Sequence, residues 1–230
     1  TKSAMTPRQR LLSVLRGDLP DRVPVTPDFS NMIPCRLTGR PFWDIYLYKR
    51  IPRWKAYIDA VRHFGIDGFL DGFHFNLEAL EDGPEWTNYI VFRSGDRIVT
   101  QRSYVESGRR IWAETVDVYY RADPPTSDVR PEKIGLPPVP SAFEPVEGVE
   151  PQKNGEELLK EVLGYMGDDG LVGLWLTSSL ALPSQEDIYR YYDHPELHER
   201  WAAERVEACE RKFERIMAMT SVLPSPDPPA

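Results

Sequence analysis

Cysteine is scarce in this 230-residue chain: Cys35 and Cys209 are the only two, far apart in sequence. Two cysteines build no disulfide framework, so a reducing cytoplasm is the expected setting. Long apolar runs are missing as well, and none approaches the ~18–20 residues needed to span a bilayer. No Lys-flanked apolar leader opens the chain, so secretion is not indicated. Basic residues are outnumbered, 28 against 36 acidic, for a formal net charge of −8. A chain of that sign is repelled by phosphates, which argues against a general nucleic-acid binder. The first residue is Thr1 rather than Met, which suggests trimming or a fragment.

Apolar residues make up 41% of the chain, enough for a sizeable core in one large domain or two small ones. Aromatics, at 11%, are spread along its length and argue against general disorder. Proline is high, with 22 residues, about twice the usual ~5%.

Thr6-Pro7 with Gln9 is a helix start: an N-cap, a proline at the first helical position and a capping-box partner three residues on. Leu11, Leu12, Val14 and Leu15 supply the apolar face, and Gly17 ends the element. Val23–Val25 reads as a short strand or sheet edge, limited by Pro24 and Pro27. Residues 28–50 are aromatic and irregular. Trp54, Tyr57, Ile58, Val61 and Phe64 recur at helical spacing over 53–64, and Gly65 stops that helix. Ile66–Phe73 then reads as a buried strand running into a loop, the αβ step of an α/β fold.

Residues 86–121 change character. Tyr89–Phe92, Ile98–Val105 and Ile111–Tyr120 are β-rich and separated by Ser94-Gly95-Asp96 and Ser107-Gly108 turns, which predicts an antiparallel meander. Residues 122–151 read as a proline-rich surface excursion, with the acidic run Glu144–Glu150 as a solvated loop. Helix 155–166, a buried strand Leu171–Leu176, a short helix 185–192 and a long helix from Pro195 to about Met219 complete the pattern. Trp54, Tyr57, Trp201 and Cys209 are expected in the core. The tail Pro224–Ala230 is expected to be disordered.

The order of these pieces resembles the uroporphyrinogen decarboxylase superfamily, which includes corrinoid-dependent methyltransferases. The resemblance rests on Met5–Leu12, Arg16-Gly17, Pro20–Val25, Phe64–Gly68, Gly173–Thr177 and Asp193–Leu197. The meander with Gly108–Glu114 is similar to an insertion of the methyltransferase-like branch. What the resemblance implies is an α/β fold, a partial (β/α)8 TIM barrel occupying residues 1–219 with 86–121 as a β insertion and 220–230 as a tail.

Barrel enzymes place their chemistry after the C-terminal ends of strands. That rule selects Thr26 and Asp28 after the first strand, Asp71 and His74 after the second, and Thr177, Ser178 and Ser179 after the third. By resemblance, His74 falls where the decarboxylases carry an aspartate facing the pyrrole nitrogens, with Asp71 three residues earlier; both are candidate catalytic groups. Asp28, Thr26, Thr177 and Ser178 are candidate substrate contacts. Other decarboxylase signatures are replaced: no arginine follows the first strand until Arg36, and the tyrosine after the third strand falls near Ala181. No His-x-Cys pair occurs and His194/His198 lie across a helix start, so no metal site is expected within this chain. Corrinoid and zinc would belong to a full-length relative.

Three functions follow. The first is methyl transfer on a small methylated substrate, with a corrinoid protein as partner. The second is a decarboxylase-type lyase of tetrapyrrole biosynthesis. The third is a non-catalytic fragment or subunit that needs a partner chain to complete the barrel, and a homo-oligomer or a partner chain is the expected assembly.

Overall fold

A computed structural model describes residues 4–28, 32–71, 86–174 and 185–220, with the side chains of 185–187 and 219–220 excepted. The chain divides into two compact units, one of residues 1–70 and 74–172, the other of 71–73 and 173–230.

The first unit opens with helix α1 (Pro7–Leu15). Thr6 Oγ1 accepts from the Gln9 N–H at 3.2 Å and Gln9 Oε1 accepts from the Thr6 N–H at 3.0 Å, the reciprocal capping box. Two short helices follow, α2 (Met32–Leu37) and α3 (Phe42–Tyr46), in the stretch whose sequence lacks helical periodicity. They form because Cys35, Phe42, Ile45 and Tyr46 bury together, so tertiary packing supplies what local signals do not. Helix α4 (Arg53–Phe64) buries Trp54, Tyr57, Ile58 and Val61. It ends on Gly65 at φ 62°, a left-handed position that a side chain would disfavour. Strand β1 (Gly68–Leu70) comes next.

Strands β2 (Thr87–Arg93), β3 (Arg97–Glu106) and β4 (Arg109–Tyr120) pair antiparallel in sequence order. Strand β5 (Thr126–Val129) adds beside β4, and β6 (Glu144–Pro145) beside β2. The sheet order is β5-β4-β3-β2-β6. Both faces are covered. Ile90 and Ile98 pack with Leu47 and Tyr48, while Val99, Val116 and Val118 pack with Ile134 and Leu136. Helix α5 (Gly155–Met166) buries Leu158, Leu159, Val162 and Met166, and leads to β7 (Gly170–Val172). Strand β7 pairs parallel with β1, Gly68 opposite Gly170. Closeness at that pair requires glycine: a Cβ on Gly170 would overlap the Gly68 backbone.

The expected barrel is therefore corrected. The described strands form two separate, open sheets, one parallel pair and one five-stranded antiparallel sheet. A barrel needs parallel strands that close on themselves. Here the hydrogen-bonded bulk of the chain is spent on hairpins, and the parallel strands are three residues long. The likeness to the uroporphyrinogen decarboxylase superfamily falls with the barrel, and with it the corrinoid, methyl-transfer and porphyrin-biosynthesis readings. Val23–Val25 forms no strand; Pro24 has no N–H to give, and the segment is held by Asp67 instead.

The second unit contains helices α6 (Gln185–Asp193) and α7 (Pro195–Thr220). Among the described residues no helix is long and apolar enough to cross a membrane. The expected disordered tail lies outside the described residues.

Candidate functional site

Thr26 and Asp28 sit in one exposed segment of the first unit. Asp71 is half-buried and belongs to the second unit. His74, Thr177, Ser178 and Ser179 lie outside the described residues. The described residues thus assemble no acid–base pair from the predicted set.

The most buried charges of the first unit are elsewhere. Asp67, fully buried, receives Arg10 Nη1, Arg22 Nη1 at 2.8 Å, Arg22 Nη2 at 3.2 Å and the Val25 N–H at 2.8 Å. Two donors meet each carboxylate oxygen, so the roughly four lone-pair positions of a carboxylate are occupied. Arg10, only 4% exposed, also donates Nε to Asp21 at 2.6 Å and Nη2 to the Met5 carbonyl at 2.7 Å. The Arg10 hydrogen bond holds the Asp21 carboxyl well below the usual range. A saturated carboxylate has no capacity left for substrate or proton transfer. This cluster ties α1, the Pro20–Val25 segment and the entry to β1 together, and its role is architectural. Arg10, Asp21, Arg22 and Asp67 stand in plain view in the sequence, but nothing in their spacing announces that they meet.

No group of three or more His, Cys, Asp or Glu gathers among the described residues. His194 Nδ1 lies 3.6 Å from Glu196, and the His198 ring packs edge-on against Tyr191 at 4.7 Å. Burial pushes the Cys35 thiol up, away from the thiolate that metals and nucleophilic chemistry need.

The helical hairpin α6/α7 offers a different chemistry. An open pocket of about 770 Å³ lies between the two helices, lined by Ile188, Tyr191, Tyr192, His198, Trp201 and Arg205 among others. Tyr191 and Tyr192 pack edge to face at 5.4 Å. Along α7, Val206, Cys209, Phe213 and Ile216 recur at intervals of three and four, one stripe on one side of the helix. No side chain described in either helix is buried, and Tyr192, Val206, Phe213 and Met217 are half or more exposed, from 75% down to 50%. Trp201 and Cys209, expected in the core, are only half-buried. Large apolar side chains therefore meet water along both helices. Sequence periodicity shows the stripe; it does not show how exposed its described side chains are.

No protein-family model matches this chain, and neither a curated protein nor a solved structure matches it.

Proposed function

We propose that this chain is a non-catalytic association subunit of the cytoplasm, whose α6/α7 hairpin buries its apolar stripe against a second copy of the chain. The observation that carries this reading is the exposure of large apolar side chains along two helices in which no described side chain is buried. At 1.5 Å rise per residue, the 26 residues of α7 are about 39 Å long. Two such helices side by side offer a seam in the range of specific interfaces, which bury about 1,200–2,000 Å². Charge permits self-pairing: Glu204, Glu207, Glu210 and Glu214 alternate with Arg200, Arg205, Arg211 and Arg215, so each copy meets both signs. Cys35 and Cys209 form no disulfide, which suits a reducing compartment.

Sedimentation equilibrium over a concentration series tests the reading. The chain is expected to pass from monomer to dimer, and Phe213→Glu to stay monomeric with its helix content intact. A wild-type chain that is monomeric throughout contradicts it.

A further inference from the structure

The pocket between α6 and α7 has a chemistry that the apolar stripe does not use. Helix α6 lines it with Ile188, Tyr191 and Tyr192, three and four residues apart and so on one face. Helix α7 lines it with His198, Trp201, Arg205 and Ala208, again at intervals of three and four. None of Val206, Cys209, Phe213 and Ile216 belongs to the lining, so the pocket and the stripe are separate surfaces of one hairpin. The walls are rich in rings. His198 meets Tyr191 edge-on at 4.7 Å, and Tyr192 meets Tyr191 in the same way at 5.4 Å. At about 770 Å³ the space falls within the range of small-molecule sites, ~300–1,000 Å³.

Its charge runs against that of the chain. The net charge of the whole sequence is −8, yet the lining carries Arg190, His198 and Arg205 against one carboxylate, Glu204. That carboxylate is engaged by Arg200 at 3.6 Å, and the nearby Glu207 is engaged by Arg211 at 2.9 Å. Arg205 itself has no ion pair among the described residues. It lies one helical turn beyond Trp201, so guanidinium and indole line the same wall. A guanidinium offers carboxylate a planar two-bond fork, and it is weakly enough hydrated to work beside apolar surface. One unpaired guanidinium balances one charge, which favours a monoanion over a phosphate dianion. Tyr and Trp rings add edge and face contacts that a flat aromatic body returns and an alkyl chain does not.

We propose that the α6/α7 pocket binds a polycyclic aryl carboxylate, with Arg205 holding the carboxylate and Trp201, Tyr191 and Tyr192 holding the rings. The body is polycyclic because a single ring fills only a small part of a space of about 770 Å³. The site goes beyond the association reading and does not depend on it, since no stripe residue lines the pocket.

The test titrates the full chain into pyrenebutyrate and, separately, into its uncharged twin pyrenebutanol, with dodecanoate as an alkyl carboxylate competitor. Fluorescence anisotropy is expected to show the acid binding at least about tenfold more tightly than the alcohol. Arg205→Gln is expected to erase that difference, and Arg205→Lys to recover only part of it, because lysine lacks the fork. Trp201→Ala is expected to weaken acid and alcohol alike, because it removes a ring and no charge. Dodecanoate at the concentration of pyrenebutyrate is expected to displace little of it. Phe213→Glu is expected to leave pyrenebutyrate binding unchanged while it abolishes the dimer, so this site and the association reading stand or fall separately. No binding of pyrenebutyrate, equal binding of acid and alcohol, or ready displacement by dodecanoate would each overturn the proposal. So would loss of binding in Phe213→Glu, or a preference for the acid that survives Arg205→Gln in a chain with native circular dichroism.

Discussion

Asp67 holds three pieces of chain through two oxygen atoms, and the strength of that junction lies in its completeness. Each oxygen meets two donors, from Arg10, Arg22 and the Val25 N–H. Asp67→Asn keeps the shape but puts an amide where guanidinium groups donate, leaving the 4%-exposed Arg10 with Asp21 as its carboxylate and the Met5 carbonyl. Breaking one side of a buried pair typically costs about 3–5 kcal/mol, and the surviving Asp21 contact places the expected loss near the lower end. Urea unfolding of the variant measures it; a loss under about 1 kcal/mol would show that the cluster does not hold the unit together. Asp21 gives the same junction a pH signature. Its folded-state pKa lies below the ordinary carboxyl value of 3.8, so the unfolded chain takes up this proton first. The contribution is present in full above about pH 4 and is lost as pH falls toward the folded value. Asp21→Asn should flatten the acid limb of the stability curve while lowering the neutral plateau, and thermal melts between pH 7 and pH 3 read both.

Elements differ in how plainly the sequence announces them. Helix α1 is legible because Thr6, Pro7 and Gln9 specify its start, and α4 and α5 because their apolar residues recur at helical spacing and Gly65 and Gly167 close them. Strands β2, β3 and β4 are legible from β-branched and aromatic runs parted by turn residues. Helices α2 and α3 are not: six and five residues long, they exist through the packing of Cys35, Phe42, Ile45 and Tyr46. The barrel expectation fails for a related reason. Local patterns identify strands but not which strands pair, and a β1/β7 contact joins residues about a hundred positions apart. That pairing rests on two glycines facing each other. Gly170→Ala would drive a methyl group into the Gly68 backbone and should open the parallel pair while leaving the antiparallel sheet folded. Amide hydrogen exchange is expected to show lost protection at 68–70 and 170–172 with protection at 97–106 retained; unchanged protection at 68–70 would refute the close-approach argument.

For the whole molecule the decisive feature is the contrast between its units. The first has charges locked in a saturated cluster and apolar clusters on both faces of its sheet. The second exposes Tyr192, Val206, Phe213 and Met217. The predicted site residues do not bear on that contrast: Thr26 and Asp28, expected as substrate contacts, are exposed in the first unit, Asp71 belongs to the second, and His74 lies outside the described residues. The α7 stripe was visible in the sequence as periodicity, yet the same periodicity would describe a core helix. Only its exposure separates the two. Cys209 lies near the middle of α7 on this stripe, whereas Cys35 is 2% exposed and shielded from reagents. A short bismaleimide added to the wild-type chain therefore reads the interface without any substitution. Peptide mass mapping should find a Cys209–Cys209 link between two copies, at a yield that rises with protein concentration and vanishes in Phe213→Glu. A chain in which Cys209 is fully modified but never linked to a second copy would contradict the association of α7 with itself.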